Sequence, residues 1–161
     1  MGAALVGADP IVAVDVHDAK LDLARSVGAT VAVRAADGDA LAAVLPAGAD
    51  FVFEAIGDPA VIDEAVKLTA PGGSTVLVGM PDERVTASFN PFLLSAQGRS
   101  IVGCLYGSSR PHIDFPKLAR LHLVGRLPID RLVTHRGGLD DVNSAFARMR
   151  VGEGARTVLT P

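Results

Sequence analysis

A short apolar run that ends in a carboxylate constrains this chain more than any other feature of its sequence. Residues 11–14 read IVAV, and Asp15 follows directly. A β-branched run without alternating polar residues is typical of a strand that is buried on both faces of a parallel sheet. Asp18 is a candidate N-cap for a helix that stops at Gly28. The sequence therefore predicts a buried strand, an acid at its carboxyl end and a helix, in that order.

The same alternation continues through the first half of the chain. The predicted strands are 30–33, 49–56 and 74–80, and the predicted helices are 37–45 and 60–69. The second helix is expected to be ended by Pro71-Gly72-Gly73, because Pro and Gly interrupt helices. Three successive strand–helix repeats predict an α/β fold with a doubly wound parallel sheet.

The second half of the chain is less regular. Residues 1–8 look like the tail of a helix, and residues 81–89 are predicted to be a loop followed by a short extended piece. Asn90 is a candidate cap for a short helix. The remaining predictions are strands at 99–106, 132–135 and 157–160, a turn at 107–109, and helices at 115–124 and 140–149.

Composition excludes several classes of function. With 161 residues the chain can form a domain with a sizeable core, and a net charge of −3 with scattered Lys and Arg argues against a nucleic-acid partner. No apolar run approaches the roughly 20 residues needed to span a bilayer, and no secretory signal is visible. The expected compartment is therefore the cytoplasm, with no membrane partner. Cys104 is the only cysteine and the four histidines are far apart, so neither a disulfide nor a metal site is predicted.

Asp15 is the first candidate functional residue. In dinucleotide-binding folds, an acid at the end of the second strand accepts hydrogen bonds from the adenosine ribose. The alternative is a polar strand terminus without a ligand, and the strand alone leaves both open. The glycine-rich turn that meets the pyrophosphate in such folds is not in this sequence, because Gly2 and Gly7 have the wrong spacing.

Five stretches, in this order, resemble the C-terminal part of the coenzyme domain of zinc-containing, medium-chain alcohol dehydrogenases. They are LVGADPIVAVDVHDAKLDLARSVGAT, ADFVFEAIGDP, PGGSTVLVGMP, GRSIVGCLYG and VTHRGGLDDVNSAFARMRVGEGARTVLTP. The resemblance covers residues 2–161. It implies a single, partial Rossmann-type NAD(P)-binding domain over residues 1–161, without its first strand and glycine-rich turn. It also implies that residues 132–161 help to close onto a catalytic domain.

The resemblance implies roles for four residues around the adenosine half of the coenzyme. Asp15 would accept hydrogen bonds from the ribose hydroxyls and would favour NAD over NADP, since it repels a 2′-phosphate. Lys20 would reach the same ribose, although it is also an ordinary first-turn lysine. Val16 and Ile56 would sandwich the adenine, although core aliphatic residues would look the same in sequence.

Five further residues are implied for the rest of the coenzyme. Val78 and Gly79 match the strand end whose backbone carbonyl meets the nicotinamide carboxamide, and Cys104 and Tyr106 match positions whose backbone meets the same group. Arg156 matches the arginine that reaches the pyrophosphate, where a planar donor fork suits phosphate oxygens. The alternative for Arg156 is a solvated arginine.

Other residues receive no role in the predicted site. Glu54 is an acid in an apolar strand, and the resemblance implies a structural role, so we leave it out of the predicted site. No residue is predicted to be catalytic or to bind a metal, because the zinc-bearing domain of the family has no counterpart in this sequence.

The resemblance implies an NAD-dependent alcohol dehydrogenase as the parent enzyme, with zinc in its full-length form and a small alcohol or aldehyde as substrate. The chain alone is expected neither to turn over alcohol nor to hold NAD tightly. A homodimer is expected through the strand edge Arg99–Tyr106. In a doubly wound sheet the missing first strand is central, so two unpaired strand edges are expected.

Two alternatives remain. A non-catalytic module could oligomerise through its exposed sheet edges. A methyltransferase-like domain also carries an acid after its second strand, but the tail and the final TVLTP do not suit it.

Overall fold

The structure, a computed structural model, describes all 161 residues, and the chain divides into two compact units. The first unit consists of residues 1–38 and 111–161, and the second of residues 39–110. None of the helices combines the length and the apolar character that crossing a membrane requires.

Seven strands and seven α-helices form the two units. The strands are β1 (Val12–Asp15), β2 (Val31–Arg34), β3 (Ala49–Glu54), β4 (Thr69–Leu77), β5 (Ser100–Gly103), β6 (Val133–Gly138) and β7 (Arg156–Thr160). The helices are α1 (Gly2–Leu5), α2 (Asp18–Ser26), α3 (Gly38–Val44), α4 (Pro59–Leu68), α5 (Pro91–Ala96), α6 (Pro111–Leu123) and α7 (Val142–Arg150). Three short 3₁₀ helices lie at Tyr106–Ser108, Ile129–Leu132 and Leu139–Asp141.

All strand pairs are parallel, which confirms the predicted fold class. In the first unit β1 pairs with β2, and β6 pairs with β7. In the second unit the order is β3-β4-β5. Because β1 has only β2 as a partner and β3 has only β4, each keeps one unpaired edge. Two such edges are what the sequence predicts for a chain without the glycine-turn strand.

The predicted N-cap of α2 is wrong by one residue. His17 occupies the cap position with an extended backbone, and no side chain caps this end of α2. Asp18 is instead the first helical residue, and its carboxylate accepts from the Arg34 guanidinium, 16 residues further along the chain. α2 ends at Ser26, and Gly28 beyond it has a positive φ of 116°.

α4 ends at Leu68, one residue before the predicted end, but Pro71-Gly72-Gly73 does not separate it from the next strand. These three residues lie inside β4, which runs from Thr69 to Leu77 instead of over the predicted 74–80. The buried Thr69 hydroxyl bonds to the Ala65 carbonyl at 2.9 Å and to the Thr75 hydroxyl at 2.6 Å. These bonds join the end of α4 to the strand that follows it, so helix passes into strand without a loop.

Other boundaries shift by a few residues. The predicted strand 99–106 is shorter, because the chain turns at Tyr106, where φ is 52°. The extended piece expected within residues 81–89 does not form a strand. α6 begins earlier than predicted and contains Pro116, and β6 extends three residues beyond the predicted end. The Asn90 cap is confirmed, since its side chain accepts from the Phe92 and Leu93 amides.

The core of the second unit lies under α4. Ile62, Ala65 and Val66 are buried on one face of this helix, which packs against β3 and β4. The helix begins where Asp58 accepts hydrogen bonds from the Ala60 and Val61 amides. α4 therefore covers one face of the sheet in the second unit.

In the first unit, the C-terminal segment contacts α2. The Arg131 guanidinium donates to the Ser26 carbonyl at the end of α2, at 2.6 Å. The His17 ring, at the other end of α2, lies against Gly152. The loop that leads into β7 therefore passes beside the start of α2.

Candidate functional site

Asp15 lies at the carboxyl end of β1, where the sequence predicts it. Its Oδ1 accepts a hydrogen bond from the His17 amide at 2.9 Å, which fixes the carboxylate over the turn into α2. No other hydrogen bond or ion pair involves this half-buried carboxylate. Its second oxygen is therefore free to accept from a donor outside the chain.

Two other predicted residues lie on the same turn. Val16 is 59% exposed and Lys20 is half-buried in the first turn of α2. The first-turn amides of α2 have no side-chain cap, and helix N-termini favour negative groups. The exposure of Val16 rules out the alternative that it is a core residue.

Arg34, which the sequence analysis does not include in the site, lies beside Asp15. The two residues are register partners in the pair β1–β2. The Arg34 guanidinium bonds to Asp18 Oδ2 at 2.6 Å and to the Val16 carbonyl at 3.0 Å. The signal that could have found it is a cation at the carboxyl end of the strand predicted next to β1.

In the second unit, the ends of the three strands are linked by backbone hydrogen bonds. The amides of Val78 and Gly79 donate to the Glu54 carbonyl at 2.8 and 3.0 Å, and the Cys104 amide donates to the Leu77 carbonyl at 2.9 Å. The structure therefore brings the predicted residues that follow β3, β4 and β5 to one edge of this sheet.

Side chains at this edge are unusually exposed for aliphatic residues. Ile56 is 70% exposed and Val78 is 42% exposed. Ile56, like Val16, is therefore not a core residue. Apolar groups at the carboxyl ends of parallel strands are suited to a flat, apolar ligand, because such ligands bind outside this edge in open α/β sheets.

The buried side chain of Glu54 binds the turn that follows β3, at the carboxyl ends of these strands. The residue is only 2% exposed, and its Oε1 accepts from the Ile56 amide at 2.6 Å and the Gly57 amide at 2.8 Å. Its Oε2 is buried without a hydrogen-bond partner. Burying a carboxyl group is costly unless hydrogen bonds compensate, and the two amide bonds do so for Oε1 only. The sequence marks this acid as unusual, but its partners become visible only in the structure.

The segment after β5 has a left-handed backbone. Tyr106, Gly107 and Ser108 have φ values of 52°, 69° and 49°, and the Tyr106 side chain is 68% exposed. For residues other than glycine this conformation costs on the order of 1 kcal/mol each. Cys104, just before this turn, is a half-buried free thiol.

Arg156 is the predicted residue with the least support. It begins β7, is exposed, and its guanidinium bonds to the adjacent Ala155 carbonyl at 2.9 Å. The loop before it passes against His17, and Glu153 in this loop pairs with His135 at 3.5 Å. Its contact with a pyrophosphate stays a prediction.

The loop after Gly79 contains a close charged pair. Arg84 bonds to Asp82 through its side chain at 2.7 Å and through its amide at 3.1 Å. These bonds lower the pKa of Asp82 and raise the pKa of Arg84. No group of three or more His, Cys, Asp or Glu side chains in the structure could hold a metal ion.

Comparison with known proteins places this geometry in a family. The family model described as zinc-binding dehydrogenase matches residues 1–123. Alcohol dehydrogenase-like 6 of Arabidopsis thaliana is 34% identical over 98% of this chain and 43% of its own length. The chain thus spans less than half the length of this relative.

Solved structures agree with the sequence match. Benzyl alcohol dehydrogenase from Acinetobacter calcoaceticus is 30% identical with a TM-score of 0.91, covering 98% of this chain and 44% of that one. A zinc-binding dehydrogenase from Sinorhizobium meliloti, solved bound to NADP, is 25% identical with a TM-score of 0.80, covering 90% of this chain and 43% of that one. This chain belongs to the zinc-binding dehydrogenase family and corresponds to the C-terminal, coenzyme-binding part of its members.

Proposed function

We propose that this chain is the coenzyme-binding portion of an NAD-dependent, zinc-type alcohol dehydrogenase. The parent reaction interconverts an alcohol and an aldehyde or ketone, and the bound nicotinamide coenzyme supplies the hydride acceptor. Relatives named as alcohol dehydrogenases support this proposal. The chain's own part is to bind and orient the coenzyme.

The observation that carries the proposal is the free oxygen of Asp15 at the carboxyl end of β1. A carboxylate held by one amide and otherwise without a protein partner is a ready acceptor for vicinal ribose hydroxyls. The same negative charge opposes a 2′-phosphate, which favours NAD. The family alone does not decide this point, since the Sinorhizobium meliloti relative was solved with NADP.

The other predicted residues have supporting roles. In the first unit, exposed Val16 offers an apolar contact for adenine, while Lys20 and Arg156 offer positive charge. In the second unit, exposed Ile56 offers a similar apolar surface. The backbone at Val78, Gly79, Cys104 and Tyr106 offers donors and acceptors for a carboxamide.

The chain alone is proposed to bind coenzyme weakly. It has no glycine-rich turn for the pyrophosphate, and its described residues include no ligand set that would fit zinc. No step that requires zinc is therefore assigned to this chain. Micromolar NAD binding by the purified 161-residue chain in isothermal calorimetry would contradict the weak-binding proposal.

A homodimer through the Arg99–Tyr106 edge is part of the proposal. β5 pairs with β4 on one side and has no strand on the other. An unpaired edge strand offers a row of backbone donors and acceptors to a second copy.

The test uses AMP, the adenosine half of the coenzyme, on the ¹⁵N-labelled chain. We expect AMP to shift the amide signals of residues 15–20 in NMR spectra, with saturation in the millimolar range. Asp15→Ala should weaken this binding about tenfold, because the hydrogen bonds are to a charged group. Asp22→Ala, an exposed acid of the same helix, is the control and should bind normally. If the unsubstituted 161-residue chain does not bind AMP, the proposed function is overturned.

A further inference from the structure

We infer that Arg34 determines coenzyme selectivity, and that Asp18 holds its guanidinium away from a 2′-phosphate. This inference rests on the proposed function, because it needs an adenosine ribose at Asp15. The charge of Asp15 is thus one determinant of selectivity. The second is a cation beside the site whose guanidinium is held by other groups of the chain.

The first step is the position of Arg34. It ends β2 directly opposite Asp15, so a cation and the ribose-binding acid leave the same end of two paired strands. A free guanidinium here would be a strong phosphate ligand, because its planar fork can bond two phosphate oxygens at once.

The second step is that this guanidinium is already engaged. Its Nη1 bonds to Asp18 Oδ2 at 2.6 Å, and its Nη2 bonds to the Val16 carbonyl at 3.0 Å. The two contacts fix the plane of the fork over the start of α2. A 2′-phosphate would have to compete with the Asp18 carboxylate while it also met the charge of Asp15.

The third step is that the pair does little for the stability of the fold. The side chains of Arg34 and Asp18 are 53% and 71% exposed. Ion pairs this exposed contribute little, since water and salt screen them and ordering two long side chains costs entropy. What the pair does control is the charge that a ligand meets beside Asp15. Lys20 is the other cation on this turn and remains unchanged in the test.

Asp18→Asn is the decisive variant. It keeps the size of the side chain but removes the negative charge that holds Arg34. Asp22→Asn is the matched control, because Asp22 lies on the same helix, pairs with Arg25 at 2.8 Å, and loses the same charge. The probes are AMP and adenosine 2′,5′-bisphosphate, which differ only in the 2′-phosphate, and NMR titration gives both dissociation constants.

We expect Asp18→Asn to improve the affinity for the bisphosphate relative to AMP by about threefold to tenfold, as one newly available charge contact allows. Asp22→Asn should leave the ratio unchanged. Adding Arg34→Gln to Asp18→Asn should return the ratio to that of the parent chain. The gain should also shrink at high salt.

The outcomes separate the two claims. If AMP binds but Asp18→Asn leaves the ratio unchanged, or if Asp22→Asn raises it equally, the role of Arg34 is wrong and the proposed function stands. If AMP binds to none of the proteins, the proposed function itself is wrong. Well-dispersed amide spectra verify that each variant is folded. If Asp18→Asn is not folded, Asp18→Ser, which also removes the negative charge, takes its place.

Discussion

The amide nitrogen of Gly57 occupies the space that a side chain at position 79 would need, with the carboxylate of Glu54 beside it. A Cβ built on Gly79 would lie closest to this nitrogen, and 2.7 Å from both Glu54 Oε2 and the Ile56 carbonyl carbon. The other oxygen of Glu54 holds the Ile56 and Gly57 amides, and the Glu54 carbonyl accepts from Val78 and Gly79. One buried acid therefore joins the turn after β3 to the end of β4, the two segments that carry Ile56, Val78 and Gly79.

Replacing Gly79 tests this close approach. Gly79→Ala should lower the free energy of unfolding by about 2–4 kcal/mol, because backbone rather than a flexible side chain blocks the added methyl group. Gly103→Ala is the control: nothing lies within 4 Å of a Cβ there, so the change should be small. Urea unfolding followed by circular dichroism measures both, and equal losses would contradict the packing described.

Removing the Glu54 carboxylate should release the turn that it holds. Glu54→Ala leaves the Ile56 and Gly57 amides without acceptors and opens a cavity, at a cost of about 3 kcal/mol. Hydrogen exchange at these two amides should become much faster. Glu64→Ala, an exposed acid of α4 that pairs with Lys67 at 3.1 Å, should change stability by less than about 1 kcal/mol. Unchanged exchange at Ile56 and Gly57 would show that Glu54 does not position them.

The left-handed turn after β5 predicts substitutions of opposite sign. Ser108→Gly should stabilise the chain by about 0.5 kcal/mol, because relief of strain at φ 49° exceeds the entropy that glycine loses on folding. Ser109→Gly should destabilise it, since Ser109 has an ordinary φ of −84° and its hydroxyl bonds to the Tyr106 carbonyl. Thermal unfolding measures both signs. A loss of stability in Ser108→Gly would contradict the account.

The proposed dimer predicts an association that depends on β5. The purified chain should sediment at twice its 16.6 kDa mass. Val102→Lys on β5 should shift it towards the monomer, because lysine on an edge strand opposes pairing with another chain. Val14→Lys on β1 is the control, because Val14 is nearly as exposed as Val102. This substitution should not shift the chain towards the monomer. A monomeric parent chain would refute the dimer.

The parts of the fold that depend on local patterns could be predicted from the sequence. The run of residues 11–14 predicts a strand that ends at Asp15, and Asn90 caps α5, because both features depend on neighbouring residues. The predicted burial of this strand on both faces is wrong: Val14 is 46% exposed, and β1 has a partner strand on one side only. The helix-to-strand junction at Thr69 could not be predicted, because a buried hydroxyl pair with Thr75 overrides the Pro-Gly-Gly signal.

The same distinction applies to the candidate site. The half-buried acid at the end of β1 follows from the sequence and the family resemblance. The sequence predicts that Asp18 caps α2, because aspartate usually accepts from the nearest helix amides, whereas its carboxylate accepts from Arg34 at the end of β2. Glu54 was visible as an acid in an apolar strand, but its contact with Gly79 depends on how β3 and β4 pair.

The central claim is that Asp15 accepts hydrogen bonds from the ribose hydroxyls of the coenzyme. The most direct measurement compares AMP with 2′,3′-dideoxyadenosine 5′-monophosphate, which lacks both hydroxyls, on the parent chain and on Asp15→Ala. The account predicts that the parent chain prefers AMP by about tenfold and that Asp15→Ala loses this preference. An equal preference for AMP in both proteins would contradict it.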